Sequence, residues 1–286
     1  MHFDIDEKNR LPEIRTDAYR ILVKGKFTPA SLRLHIHGKR KSYPPELRKS
    51  IERTWDLARE EAEKNGWSLY NENLFSLMNY QVRAGTLNLL LGETDYKELL
   101  GTNFSLPQEK KSCDEKLLSD GVAVCSAIIT KDGFLIVGRR SRQVFRGSGK
   151  LHVCAGHPVP DRVLTIQGML NGENFFFSEM KREVMEEFHI PANKITRMVC
   201  LGVVRSHLSR KPEVLFQTSV KIPKDKIMAL YDTAKDKGEH QEILFVESAQ
   251  APLIEFLKAY HQEFTAPGLA AVVFHGAEQG FWTQSA

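Results

Sequence analysis

The sequence predicts an α/β protein: a mixed sheet between helices, with a smaller α+β domain before it. Three observations carry that expectation. Short apolar runs with a period of two are interleaved with one long helical stripe before residue 107, five further strand-like runs follow residue 120, and a polar stretch separates the two groups. A chain of 286 residues with 42% apolar content can fill two modest cores.

Residues 19–23 and 32–37 alternate apolar and polar side chains, as half-buried strands do. Pro44-Pro45 then opens a helix in which Leu47, Ile51, Trp55, Ala58 and Ala62 form one apolar stripe, and Asn65-Gly66 stops it. Residues 75–82 and 87–91 read as two more strands. The polar run Pro107-Gln108-Glu109-Lys110-Lys111-Ser112 is the expected linker, which gives an N-terminal substrate-recognition domain at residues 1–112 and a second domain at 113–286. Beyond it, residues 122–129, 134–138, 199–204, 214–220 and 243–246 supply the mixed sheet. Residues 253–264 supply a covering helix, with Phe256, Leu257, Tyr260 and Phe264 at helical spacing.

Charge and cysteine usage bound the partners. A net charge of +4 is too small to argue for nucleic acid. The four cysteines, Cys113, Cys125, Cys154 and Cys200, lack CxxC spacing, and the last three sit in apolar runs, as core thiols do in a reducing compartment. No apolar run approaches the roughly 18 residues that a membrane span needs, and Met1 to Glu7 has none of the basic and apolar regions of a signal peptide. The expectation is a cytoplasmic protein with a small-molecule partner, no nucleic acid and no membrane.

The most informative stretch is Ser178 to Glu187. At about 100° per residue, Glu183, Glu186 and Glu187 fall within an arc of about 100° on one helix, so three like charges converge. Phe177, Met180, Val184 and Phe188 occupy the other face at spacings that attach a helix to a core. Buried on one side and crowded with carboxylates on the other, such a helix suits a hard cation with oxygen ligands; the alternative is a solvated acidic face. Lys150 to Cys154 reads as a strand ahead of it, Ala155-Gly156-His157-Pro158 as the loop that ends the strand, and Ile190-Pro191 as the end of the helix.

This order of strand, glycine loop and acidic helix resembles the Nudix hydrolase superfamily, whose helix carries R-E-U-x-E-E-x-G-U. Arg182 to Ile190 matches eight of those nine places. The departure is His189 where glycine is usual, a position that needs a left-handed backbone which His tolerates. The box is also stretched, running 34 residues from His157 to Ile190. Strict counting for the family's upstream glycine and glutamate lands on Gly168 and Asn174, and Glu173 and Glu179 are only neighbours of the missing acid. Arg139 to Val144, Gly156-His157-Pro158, Tyr96 and Leu100 to Ser105 look like the divergent branch that hydrolyses UDP-glucose and UDP-galactose.

That resemblance implies a Nudix α/β/α sandwich and hydrolysis of a nucleotide-sugar pyrophosphate bond to UMP and sugar 1-phosphate. It implies Mg2+, with Mn2+ as a substitute, on Glu183, Glu186 and Glu187, completed by the carbonyl of Gly156 or Ala155. Glu183 and Glu187 are then catalytic. Glu239, before a late strand, is the first candidate for the general base and Glu213 the second. Tyr96, Thr102, Asn103, Arg140, Ser141, Arg142, Gln143 and His157 are the expected substrate contacts, with the Gly101-Thr102-Asn103 turn offering exposed amides to a uracil edge or ribose and arginine forks suiting phosphate. Two alternatives stand beside it. One is a catalytically weak Nudix-fold module that binds a nucleotide sugar. The other is an isopentenyl diphosphate isomerase, whose reactive cysteine directly precedes Gly-His-Pro; here Cys154 stands one place earlier, which on a strand turns it away from the site.

Overall fold

A computed structural model describes residues 17–106, 114–161 and 174–282. Strand β1 (Tyr19–Phe27) leads into β2 (Leu32–Arg40), helix α1 (Pro45–Asn65), β3 (Asn73–Arg83), β4 (Thr86–Asp95) and a short helix α2 (Tyr96–Leu99) that runs on as a π-helical turn, Leu100–Phe104. There follow β5 (Ala123–Ile129), β6 (Phe134–Arg140), β7 (Leu151–His152), β8 (Cys154–Gly156), α3 (Phe175–Phe188), β9 (Ile195–Ser206), β10 (Pro212–Val220), α4 (Lys224–Tyr231), β11 (His240–Glu247), α5 (Gln250–Tyr260) and α6 (Ala266–Glu278).

The strands form two sheets. The larger is ordered β1-β9-β10-β5-β6-β11, with β7 paired to β6 and β8 to β5. Its β10 and β5 run parallel and its other pairs antiparallel, so the sheet is mixed as expected. The smaller sheet is ordered β2-β4-β3. The expected division at residues 112 and 113 is not followed, because β1 lies against β9 in the large sheet, from Tyr19 opposite Ser206 to Phe27 opposite Cys200. Alternation in residues 19–23 says that one face is buried, not which sheet buries it. The expected linker, residues 107–112, lies outside the described residues.

Helix α3 is held from more than one side. Phe175, Phe176 and Phe177 are consecutive and all buried, and three consecutive positions sweep about 200° of a helix, more than a single apolar stripe covers. Phe177 meets Phe216 of β10 edge-on at 5.0 Å, while Phe175 and Phe176 pack on Phe75 of β3 at 5.9 and 6.3 Å. Leu87, Leu89 and Leu91 of the small sheet therefore share one core with Val124, Val214 and Phe216 of the large one. The opposite face of the large sheet is covered mainly by α6, whose residues Gly268 to Gly276 are all buried. The helix expected at 253–264 ends at Tyr260 and buries only Leu253 and Leu257, so the principal cover of that face was not anticipated.

Strand 150–154 is divided, with Val153 separating β7 from β8. Cys125, Cys154 and Cys200 are buried free thiols; Cys113 lies outside the described residues. Among the described residues no helix is long and apolar enough to cross a membrane.

Candidate active site

Local sequence sets the ends of α3. Asn174 caps the first turn by accepting the Phe176 N–H at 3.0 Å. His189 ends the helix in a left-handed backbone, φ 53° and ψ 31°, and its ring is held 2.8 Å from the Thr233 hydroxyl. A non-glycine residue is thus accommodated where the family usually has glycine. Gly168 and Glu173 lie outside the described residues.

Between those ends the carboxylates gather. Glu179, Glu183 and Glu187 are buried, Glu186 half-buried. Arg182 sits among them, ion-paired to Glu183 and Glu186 and, at 3.1 Å, to Glu179. Lys235 reaches Glu186 at 2.8 Å. Burial raises Glu183 to about 8, with Glu187, Glu186 and Glu179 adding to the rise against the pull of Arg182. The Glu183 carboxylate lies directly on Gly156, where any Cβ would overlap it. Glycine is required here by close approach, which sets this loop against the carboxylate face of the helix.

Glu187 is enclosed differently. One oxygen accepts the Ala155 N–H at 2.8 Å and the other faces His240 Nε2 at 2.9 Å. Cys154 does not turn away from the site as its strand position implied. It sits in the core beside α3, bonded to Glu187, and its thiol is pushed well up by burial first and by Glu187 and Glu183 next. Alternation runs unbroken through Val153, with Leu151, Val153 and Ala155 on the opposite face, so Cys154 shares the face of Gly156 and the position before Gly156 points away from α3. A buried thiol raised in this way is held protonated.

The donor set is one of oxygens. Among the described residues no three of His, Cys, Asp and Glu form a ready-made cage for a cation. The arrangement still fits Mg2+, which characteristically takes one or two carboxylates and completes its shell with water and phosphate. Glu183 marks the fit: an acid pressed against a backbone loop and among like charges, with Arg182 as the cation beside it.

The expected substrate contacts divide into two groups. Tyr96 packs edge-on to His157 at 6.2 Å. Burial raises the Tyr96 hydroxyl, while Arg146 and Arg140 pull it down. His157 is lowered well below the ordinary range, first by burial and then by Lys211 and Arg140, and its Nε2 is buried with no partner among the described residues. Arg140 ends β6 with its Nε on the Arg146 carbonyl at 3.2 Å, whereas Arg139 faces the other way, onto Glu242 and Glu263. Ser141 donates its N–H to the Glu239 carbonyl at 2.7 Å and its hydroxyl accepts the Gln143 N–H. Arg142 and Gln143 are exposed. Glu239 is raised by burial first and Glu187 next, so this candidate base lies in the field of the carboxylate cluster. Glu213 is committed to a buried pair with Lys211 at 2.8 Å.

Thr102 and Asn103 belong elsewhere. The expected exposed turn is a π-helical turn with both residues fully buried. Gly101 lets it press on Ile51 of α1. The Thr102 hydroxyl donates to the Glu98 carbonyl and accepts from Ser119 N, and Asn103 Oδ1 takes the Asp120 N–H at 2.9 Å and the Ser119 hydroxyl at 3.1 Å. These side chains fasten the chain across the junction and have no oxygen left for a base. What sequence reading missed is His240. It follows Glu239 in a polar stretch, and only its pairing with Glu187 distinguishes it.

No protein-family model matches the chain. It is 25% identical over 194 residues to uridine diphosphate glucose pyrophosphatase NUDT22 of Mus musculus, covering 62% of this chain and 63% of that one. The Homo sapiens protein of the same name is 26% identical over 222 residues, 71% of this chain and 73% of the relative. Nudix hydrolase 9 of Arabidopsis thaliana is 29% identical over 226 residues, 70% and 71% respectively. The chain thus spans less than two thirds of the mouse relative's length. Among solved structures, a MutT protein from Methanosarcina mazei Go1 matches at a TM-score of 0.32 and 19% identity, over 55% of this chain and 94% of that one.

Proposed function

We propose that this chain, a divergent member of the Nudix hydrolase superfamily, hydrolyses the pyrophosphate bond of a nucleotide sugar, UDP-glucose or UDP-galactose, to UMP and the sugar 1-phosphate. The observation that carries the reading is Glu183, held on Gly156 among three other carboxylates and raised to about 8. A divalent cation bound there would draw charge from the phosphate oxygens. Glu183 and Glu187 would hold it, with Glu186 and the Gly156 carbonyl.

The remaining steps fall to side chains around that helix. Arg140 and Arg142 pair with phosphate oxygens, and Ser141 and Gln143 hold the loop that carries them. Tyr96 and His157 form an aromatic wall for the uridine. Glu239 accepts a proton from the attacking water as the water oxygen bonds to phosphorus, and the bridging oxygen leaves with the other phosphate. Glu213 is the poorer base because Lys211 already holds its carboxylate.

Hydrogen bonds to both Glu187 oxygens favour one second reading, a module that binds the nucleotide sugar without cleaving it. Incubation with UDP-glucose, UDP-galactose, ADP-ribose and related diphosphates, with Mg2+, Mn2+ or EDTA, separates the two. The expected result is UMP from the UDP sugars, abolished by EDTA. Tight binding of UDP sugars with no UMP selects the binding module, and preferential turnover of ADP-ribose removes the uridine assignment.

A further inference from the structure

His240 opens β11 and is buried, its side chain facing Glu187 across 2.9 Å from Nε2 to Oε2. Three independent features fix the ring. It stacks on Phe188 with centroids 5.6 Å apart and planes 25° from parallel. Its backbone is tied down by Tyr231, whose hydroxyl donates to the His240 carbonyl at 3.1 Å. Behind it lies Gly138 of β6, where a Cβ would overlap His240 Nδ1, so glycine opens the space that the imidazole occupies. Nδ1 has no partner among the described residues, and a carboxylate oxygen accepts, so Nε2–H is the donor to Glu187.

A ring placed this rigidly does more than fill volume. The other Glu187 oxygen is held by the Ala155 N–H at 2.8 Å, on the same short strand that ends in Gly156. One carboxylate is thus fixed at both oxygens, by the glycine loop on one side and by β11 on the other. With the Cys154 thiol counted as well, three of the roughly four lone-pair sites of the carboxylate are taken and one stays free.

We propose that His240 is the positioning residue of the site: its Nε2–H sets the rotamer of Glu187, so that a free lone pair of the carboxylate is presented to a divalent cation beside Glu183 and Gly156. The inference rests on the reading of α3 as a cation site. Partners of this kind typically change metal affinity by about 10- to 100-fold when removed.

The test uses Mn2+ alone, with the unbound ion counted by electron paramagnetic resonance, on the full chain and on His240→Ala, His240→Gln, Gly138→Ala and Glu187→Gln. His240→Ala is expected to weaken Mn2+ by at least about 10-fold. His240→Gln, whose side-chain N–H can reach the same oxygen, should recover most of that loss. Gly138→Ala displaces the ring without removing it and should weaken Mn2+ in the same direction, which keeps the test decisive if His240→Ala fails to fold. A purely structural role would lower the melting temperature of both His240 variants alike and leave Mn2+ affinity alone; that result overturns the proposal. Wild-type protein with no Mn2+ affinity would overturn the cation site itself and the proposal with it, whereas a wild type that binds Mn2+ beside equally tight His240 variants would overturn only the role of His240.

Discussion

Two buried polar clusters lie in this molecule, and they differ in how their charges close. At the junction of the two sheets, Asp120 receives Arg205 and Lys41, and its N–H goes to Asn103; Ser119 is bonded to Thr102, Asn103 and Ser76. One carboxylate there faces two cations. On α3, Glu179, Glu183, Glu186 and Glu187 share Arg182, Lys235 and His240. Both clusters came from sequence stretches with polar residues of functional type. Burial does not separate them. Among the described residues the junction leaves Asn103 Nδ2 and Arg205 Nε unpaired, whereas on the helix four carboxylates gather round the guanidinium of Arg182 and the ammonium of Lys235.

Asp120→Ala leaves Arg205 buried without its partner, so chemical denaturation should show a loss of about 3 to 5 kcal/mol, with kcat on a UDP sugar little changed in the folded fraction. A large kcat loss without destabilisation would make the junction part of the site.

Glu183→Gln should do the reverse. Turnover is expected to fall at least about 100-fold, which is roughly 2.7 kcal/mol in the barrier, while the melting temperature holds or rises because a penalised charge has been removed. Near wild-type turnover at saturating Mg2+ would end the reading of α3 as the catalytic helix.

Asn103→Ala leaves the Asp120 N–H and the Ser119 hydroxyl buried without an acceptor, at a cost of about 1 to 3 kcal/mol. Its KM for a UDP sugar should stay within about twofold, since losing a base contact would raise it. A KM rise in a stable protein would restore Asn103 as a substrate contact.

The smallest effect is on pH dependence without metal. Glu183 is raised from 4.5 to about 8, so the folded chain binds more protons than the unfolded chain between those values, and its stability falls as pH rises through that window. A drop in melting temperature of at least about 2 °C from pH 5 to pH 8 is expected. It should be flattened in Glu183→Gln. A metal-free protein equally stable at both ends would show that Glu183 is not raised.

Much of this protein was legible in its sequence. Helix α3 follows from four apolar residues at helical spacing, its carboxylate row from the same geometry read on the other side, and its end at His189 from the chemistry of a left-handed position. Nine of the strands rest on patterns visible in short windows, alternation where one face is buried and short continuous apolar runs where both are, as in β5 and β10. What no window contains is which surfaces meet. That β1 joins the large sheet, that three consecutive phenylalanines are all covered, and that α6 closes the second face are decided by packing over the whole chain. Thr102 and Asn103 became a fastening because Ser119 and Asp120 returned to them, and His240 became a partner of Glu187 because β11 came back beside β6. Residue type and spacing determine which chemistry a side chain can perform; only the tertiary structure, by supplying or withholding a buried partner, decides which of those side chains are left with charge to use.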